Sequence, residues 1–490
     1  MNRTLHAHQK DELAELAVIA MRERGLEPEF NSAVRRQLDD IDGPGEDDAA
    51  GIVDLTGLLW CSLDNDDSRD LDQLTVSEPL PDGSVRILVA VADVDSLVDK
   101  DTPIDRHAQL NTTSVYTSAR IFPMLPEKLS HDLSSLNPNQ ERLALVTEMV
   151  FHPDGRLLRS HIQRARVRNK AQLAYDAVSA WLDGKGPLPE AADAIDGMAE
   201  QLRTQDAVAQ QLRARRREQG ALDFETLQPR AEFEGDRVVA IRQQVHNRGR
   251  QLIEEFMVAT NGVTARYLAG RRRAAIRRVV KSPERWARIV EVAAQHGWQL
   301  PDEPSSLALE QFLAAARQRD PLRFPDLSLV IVKLMGRGEY VVERPGGPAI
   351  GHFGLAVRDY AHSTAPNRRY PDLITGRLLK AALADVRPPY SHTELEFLAN
   401  HCTRQEDAAN KVERQLRKSE AAMLLESRIG DTFDGVVTGE SKGNTWVRVF
   451  DPPAEGKLLP SREVDVGDKV RARLVATNVE RGFIDFEQVD

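Results

Sequence analysis

The chain has 490 residues, 41% of them hydrophobic and 29% charged, with a formal net charge of −11. That length gives room for roughly three domains at about 150 residues each, with a sizeable core. No apolar run approaches the ~20 residues of a membrane helix, the start MNRTLHAHQKDELAEL lacks a basic-then-apolar leader, and two cysteines exclude a disulfide scaffold or a Cys-based zinc site; an integral membrane protein is excluded and a reducing cytoplasm is expected.

The first 50 residues read as a small helical unit. From Gln9 to Arg24 the apolar positions Leu13, Leu16, Ala17 and Ala20 have helical spacing, Gly25 is a C-cap and Pro28 prevents continuation. Asn31 or Ser32 can cap a second helix running to about Asp40. The pair has the form of a helix-turn-helix. Its acidic balance favours packing on the main domain over reading nucleic acid. GPGEDDAAG, residues 43–51, has linker composition.

Residues 52–150 look β-rich, with buried-strand runs from Arg86 to Val94 and from Leu143 to Phe151. The segment LDNDDSRDLDQL, residues 63–74, is the densest chemical signal. It holds Asp64, Asp66, Asp67, Asp70 and Asp72, which repel one another unless a cation or solvent intervenes. Hard oxygen ligands in this number suit Mg²⁺ or Mn²⁺. Asp70 and Asp72 are two apart, so on an extended segment they point the same way. The bland reading is an acidic surface loop. No mid-loop Gly and no closing Glu support a calcium EF-hand.

Residues from about 170 to 425 read as mainly helical, with 3.6-period stripes in AQLAYDAVSAWL, RQLIEEFMVATNGVTARYL and ERQLRKSEAAMLLESRI. Charge is uneven here. From Arg242 to Lys281 there are ten Lys/Arg against two acids, and Arg213, Arg215, Arg216 and Arg217 form another basic knot. An acidic protein with such a lining can still bind a polyanion. YAHSTAPNRRYPDL, residues 360–373, sets Arg368 and Arg369 at a Pro-bounded turn near His362. A fixed guanidinium fork suits phosphate; the alternative is a salt-bridged arginine at a helix start.

From about Gly430 the pattern switches to five short strands in some sixty residues, the size of an OB-type barrel. Alternation in NTWVRVF puts Trp446, Arg448 and Phe450 on one face, and in KVRARLV it puts Lys469, Arg471 and Arg473 on one face. Aromatic and basic residues on an outer face suit stacked bases and phosphates. Core aromatics with solvated surface charges fit the pattern as well.

Together these segments identify the chain as similar to the RNB family, that of ribonuclease II and RNase R. The resemblance is carried by DLDQL, ILVAVADVDSLV, NTTSVYTSARIFPMLPEKLSHDLSSLNP, GALDFE, QLIEEFMVATN, HFGLAVRDYAHSTAPNRRYPDL and NKVERQL, over about residues 52–425. It implies an α+β fold: a helical unit at 1–50, an RNB catalytic domain at 51–427, and an S1-type OB barrel at 428–490. It implies a processive, Mg²⁺-dependent 3′-to-5′ exoribonuclease that takes single-stranded RNA to nucleoside 5′-monophosphates. In the family's pattern Asp64, Asp70 and Asp72 are catalytic carboxylates and metal ligands, and Arg368 steadies the scissile phosphate. Tyr116 and Phe224 match aromatics that stack the 3′-terminal bases. Tyr175 and Glu254 match residues that select RNA over DNA, and Glu413 matches an acid near the catalytic arginine. Trp446 and Arg471 are the candidate RNA contacts of the barrel.

Two departures stand out. Gln73 replaces a fourth Asp, offering a neutral oxygen without charge; Asp66 or Asp67 are candidates to compensate. About 50 helical residues stand where the family has cold-shock domains, so the handling of duplex RNA is expected to differ. The expected protein is a monomer with no membrane partner. A catalytically weak RNA-binding regulator on the same frame, supported by Gln73, is the alternative. A DNA-directed nuclease is a third.

Overall fold

A computed structural model describes residues 9–47, 51–225, 228–244, 247–321, 323–347, 350–441, 443–459, 464 and 468–489. Helix α1 (Gln9–Glu23) ends at Gly25, whose φ of +72° is the left-handed conformation a C-cap requires. Helix α2 (Ser32–Asp39) is capped by Asn31, whose side chain accepts from the amides of Ala33 and Val34. The two helices bury different faces against different neighbours. Leu13, Ala17, Ala20 and Met21 of α1 share an apolar cluster with Val412, Leu416 and Met423. Val34 of α2 belongs instead to the main core.

The chain then lays down β1 (Val53–Asp54), β2 (Cys61–Asp64), β3 (Gln73–Pro79) and β4 (Val85–Ala92), followed by α3 (Pro103–Asn111). The short hairpin β5–β6 (Val115–Tyr116, Ile121–Phe122) precedes the long strands β7 (Glu141–Phe151) and β8 (Leu157–Arg168), and then β9 (Ala171–Ala174). Seven of these strands form one sheet in the order β1-β8-β7-β4-β3-β2-β9. Residues 142–147 of β7 are all buried, so this sheet is covered on both faces. Strand β9 takes up the AQLA that opens the AQLAYDAVSAWL stripe. The helix there, α4 (Tyr175–Leu182), therefore starts four residues later than the periodicity suggests.

Helices α5 (Glu190–Asp193), α6 (Met198–Glu218) and α7 (Arg248–Gly270) follow, with the hairpin β10–β11 (Gln228–Glu234, Arg237–Gln244) between the last two. Gln201 and Gln205 of α6 tie it to the sheet through Ser77 and Thr75. After β12 (Ala275–Val279), helices α8 (Trp286–Gln295), α9 (Ser306–Arg319) and α10 (Phe324–Met335) bury a separate apolar cluster around Phe312 and Phe324. Strand β13 (Glu339–Glu343) pairs back with β12. Helix α11 (Tyr370–Leu383) and the 34-residue α12 (His392–Leu425) complete this part, and a Ser391–Glu394 capping box starts α12.

Strands β14 (Thr432–Ser441), β15 (Asn444–Phe450), β16 (Pro453–Leu459), β17 (Lys469–Asn478) and β18 (Phe483–Val489) close into a barrel. Val447, Val449, Val470, Ala472 and Leu474 point inward. Trp446, Arg448, Phe450, Arg471 and Arg473 therefore lie on the outer surface, as alternation requires. Ala421, Ala422 and Leu425 of α12 join the barrel core, so helix and barrel share one apolar contact.

Candidate active site

A cavity of about 1130 Å³ opens where β2, β3, β5 and the turn before α11 meet. Its walls include Asp64, Asp70, Asp72 and Gln73 from one side, Tyr116 and Glu413 from another, and Tyr175 and Arg368. Asp64 ends β2 and Gln73 begins β3, so the acidic run is the connection between two paired strands. Leu71 is the anchor of this loop. Its side chain is buried, its amide donates to Ser135 Oγ at 2.9 Å, and its carbonyl accepts from the Leu136 amide at 2.9 Å. With Leu71 turned inward, Asp70 and Asp72 on either side both face the cavity. Asp66 is exposed and Asp67 reaches the cavity rim.

Asp72 is 2% exposed. Its Oδ1 accepts the Asn367 amide proton at 2.9 Å, and its Oδ2 lies 3.5 Å from Arg368 Nε with no hydrogen-bond partner of its own. Burial pushes its carboxyl up to about 8 against the pull of Arg368, and Asp70 adds to the rise. Asp64 is raised too, chiefly by burial, while the Asn65 amide at 2.7 Å holds it down.

The turn that carries Arg368 is built on Asp372, whose Oδ1 accepts from the amides of Thr364 and Ala365 at 2.8 and 2.9 Å and from Arg369 Nη2 at 2.7 Å. Arg369 is thus structural, and Arg368, half-exposed, is left to face the cavity. The serines of PMLPEKLSHDLSSLNP join the two halves. Ser134 Oγ donates to Asn367 Oδ1 at 2.6 Å, beside Arg368, while Ser135 Oγ donates to the Arg69 carbonyl at 2.8 Å in the acidic loop. His362 is half-buried and bonded to the Tyr340 hydroxyl at 2.8 Å. Loss of solvent and the nearby Arg369 and Arg278 push its pKa down, so it is a neutral packing histidine.

Tyr116 presents its hydroxyl to Asp70 Oδ2 at 3.1 Å, and its amide donates to Glu413 Oε1 at 3.0 Å. Burial and Asp70 keep that hydroxyl protonated. Tyr175 opens α4 at the cavity wall, its hydroxyl raised by burial and by Asp64. The other sequence candidates lie elsewhere. Phe224 packs beside the cluster of α8, α9 and α10. Glu254 is exposed on α7, 3.8 Å from Arg216. Trp446 sits under Lys418 Nζ, 5.3 Å from its ring centroid, and Arg471 is exposed 3.8 Å from Asp434.

The donor set suits a hard divalent cation: carboxylate oxygens, one of them a buried Asp72 Oδ2 without a hydrogen-bond donor. Among the described residues no three His, Cys, Asp or Glu side chains converge to coordination distance, although all three aspartates line the cavity. Gln73 lines it as well and contributes no charge.

The basic stretches resolve differently from their sequence appearance. Arg216 pairs with Glu255, Arg217 with Glu310, and Arg213 with Asp223. Arg248, Arg277, Arg278 and Lys281 pair with Asp206, Glu343, Glu406 and Glu339. Residues 245–246 of this stretch lie outside the described residues. Arg250 and Arg417, which sequence reasoning did not single out, line the cavity. Arg250 was one charge among ten, and the Asn65 it meets is 185 residues away in the chain.

The RNB domain matches residues 52–385, and an RNase II-type exonuclease C-terminal S1 domain matches residues 431–489. Ribonuclease R of Vibrio parahaemolyticus is 29% identical over 517 residues, covering 96% of this chain and 60% of that protein. Ribonuclease R of Escherichia coli is 30% identical over 510 residues, covering 96% and 62%. The chain thus spans about 60% of the length of these curated relatives. The apo form of Mycoplasma genitalium RNase R superposes with a TM-score of 0.88 at 24% identity, covering 98% of this chain and 78% of that one. The same protein has been solved in complex with ribose-methylated single-stranded RNA. With its sheet, its carboxylate loop, its arginine turn and its terminal barrel, the chain belongs to the RNB-domain family.

Proposed function

We propose that the protein is a 3′-to-5′ exoribonuclease that hydrolyses single-stranded RNA to nucleoside 5′-monophosphates. The observation that carries this is the Asp72–Arg368 pair in the cavity wall: a buried carboxylate with one oxygen unpaired, against a guanidinium 3.5 Å away. Arg368 balances charge as it builds on the scissile phosphate. Tyr116 offers a ring face on which a terminal base stacks without regard to sequence, and Tyr175 in the same cavity wall is the candidate for selecting RNA over DNA. Asp64, Asp70 and Asp72 are the residues that would hold Mg²⁺ or Mn²⁺. When bound, that cation lowers the pKa of water and neutralises phosphate charge. Glu413, in the cavity wall beside Tyr116, and Phe224, Glu254, Trp446 and Arg471, farther out, remain candidates for RNA contact. A reducing cytoplasm and a monomer fit the composition, and no described helix is long and apolar enough to cross a membrane.

Gln73 favours a second reading, an RNA-binding regulator with feeble catalysis. RNA and DNA oligomers of one sequence, 5′-labelled and incubated with Mg²⁺, test the reading. Stepwise shortening of RNA from its 3′ end with DNA left intact supports it. Equal loss of both, or internal cuts, contradicts it.

A further inference from the structure

Arg250 stands apart from the other cations of its stretch. It lies in the first turn of α7, its backbone fixed by the Asn247 N-cap, whose side chain accepts the Arg250 amide proton at 3.0 Å. Its side chain runs to the wall of the catalytic cavity. There Nη2 donates to Asn65 Oδ1, next in sequence to Asp64, and the guanidinium lies over the Tyr175 ring, 4.8 Å from the centroid. Its Nε is buried without a hydrogen-bond partner.

The neighbouring arginines at 248, 277 and 278 are neutralised by carboxylates. Among the described residues Arg250 forms no ion pair. It meets a neutral amide and an aromatic face, contacts that orient a guanidinium without cancelling its charge. A planar cation so held, with a spare N–H beside the acidic loop, is prepared for an anion. Arg250, Arg368 and Tyr175 all line the one cavity, which places the two cations around a common space.

We propose that Arg250 binds a backbone phosphate of the RNA strand adjacent to the phosphate held by Arg368. Tyr175 then serves twice, as a surface for the terminal nucleotide and as the platform that holds Arg250 flat. This deepens the exoribonuclease reading and rests on it, since it needs an RNA strand in the cavity.

The test separates the two. In the Asp72→Asn protein, without added Mg²⁺ and expected to keep RNA intact, the dissociation constant of a labelled single strand of about ten nucleotides is measured against salt with Arg250 present, Arg250→Lys and Arg250→Met. Methionine keeps an aliphatic stem on Tyr175, and equal melting temperatures show that the fold is preserved. Arg250→Met is expected to weaken binding about tenfold at low salt and to make the log–log salt slope shallower by about 0.7, one phosphate on a single strand. Arg250→Lys is expected to keep the slope while losing part of the affinity, because the charge remains and the fork does not. An unchanged slope in Arg250→Met, with or without weaker binding, overturns the assignment and leaves the exoribonuclease reading standing. A parent protein that binds no RNA overturns both.

Discussion

Arg368 and Asp72 are set apart by their environment more than by their identity. A carboxylate at 2% exposure is costly to ionise, and here one backbone N–H and one guanidinium offset only part of that cost. The guanidinium is planar and half-exposed, free to turn a fork toward phosphate. Replacing it by a point charge is therefore expected to hurt the transition state more than binding. In Arg368→Lys, single-turnover cleavage falls about 10²-fold while RNA affinity changes little. A variant that loses affinity and keeps its cleavage rate would place Arg368 in binding alone. At this scale the shared direction of Asp70 and Asp72 was legible, because alternation about Leu71 is a local rule, whereas Asp64, at the end of β2, came with the family resemblance. Arg250 was not legible, because its role depends on Asn65 and Tyr175, brought to it by tertiary packing.

The turn before α11 and the helix α3 show how elements hold these residues. Asp372 gathers three donors in the interior, and its removal strands Arg369 without a counter-charge. Asp372→Ala is expected to cost about 3 kcal/mol in denaturant unfolding and to lower activity by displacing Arg368; unchanged stability would show that the turn has other support. On α3, His107 packs against the Phe30 ring at 4.5 Å and meets Asn111, which in turn bonds Glu27. Burial lowers its pKa from 6.5 to about 4. The unfolded chain thus binds a proton that the folded one refuses between those values. Stability then falls as pH drops from about 6.5 toward 4. His107→Gln is expected to flatten that part of the stability–pH curve, by about 1–3 kcal/mol at pH 4. A parallel curve would show that His107 does not report this linkage. Long periodic helices and the barrel strands were readable. Strand β9, at four residues, the hairpin β10–β11, and the pair β12–β13 whose strands are separated by three helices were not, because short runs inside a helical region carry too few repeats to set a period.

Across the whole molecule, α12 joins what the chain keeps far apart. Its Val412, Leu416 and Met423 pack on α1, its Glu413 meets the Tyr116 amide, and its Ala421, Ala422 and Leu425 enter the barrel core. The first helix is therefore packed through α12 onto the body that holds the cavity, consistent with the acidic charge that argued against a free DNA-reading unit. The barrel's outer Trp446, beneath Lys418 of α12, lies on the same mast. Trp446→Ala is expected to weaken binding of a strand of about twenty nucleotides by roughly tenfold, and to leave cleavage of a strand of about four unchanged. Equal effects on both lengths would move Trp446 out of the RNA path. Net charge misled at this scale in both directions. The basic stretch looked like a lining, yet Arg248, Arg277, Arg278 and Lys281 are spent on carboxylates of the same chain.

The central claim is that this cavity cleaves RNA with Gln73 in place. The most direct test is a denaturing-gel time course on 5′-labelled single-stranded RNA with Mg²⁺, comparing the natural chain, Asp72→Asn and Gln73→Asp. The account predicts stepwise 3′ shortening with 5′-monophosphate release by the natural chain, and none by Asp72→Asn although it still binds RNA. RNA that stays bound and intact with the natural chain, and is cut only by Gln73→Asp, would contradict it and make the protein an RNA-binding frame whose catalysis has been lost.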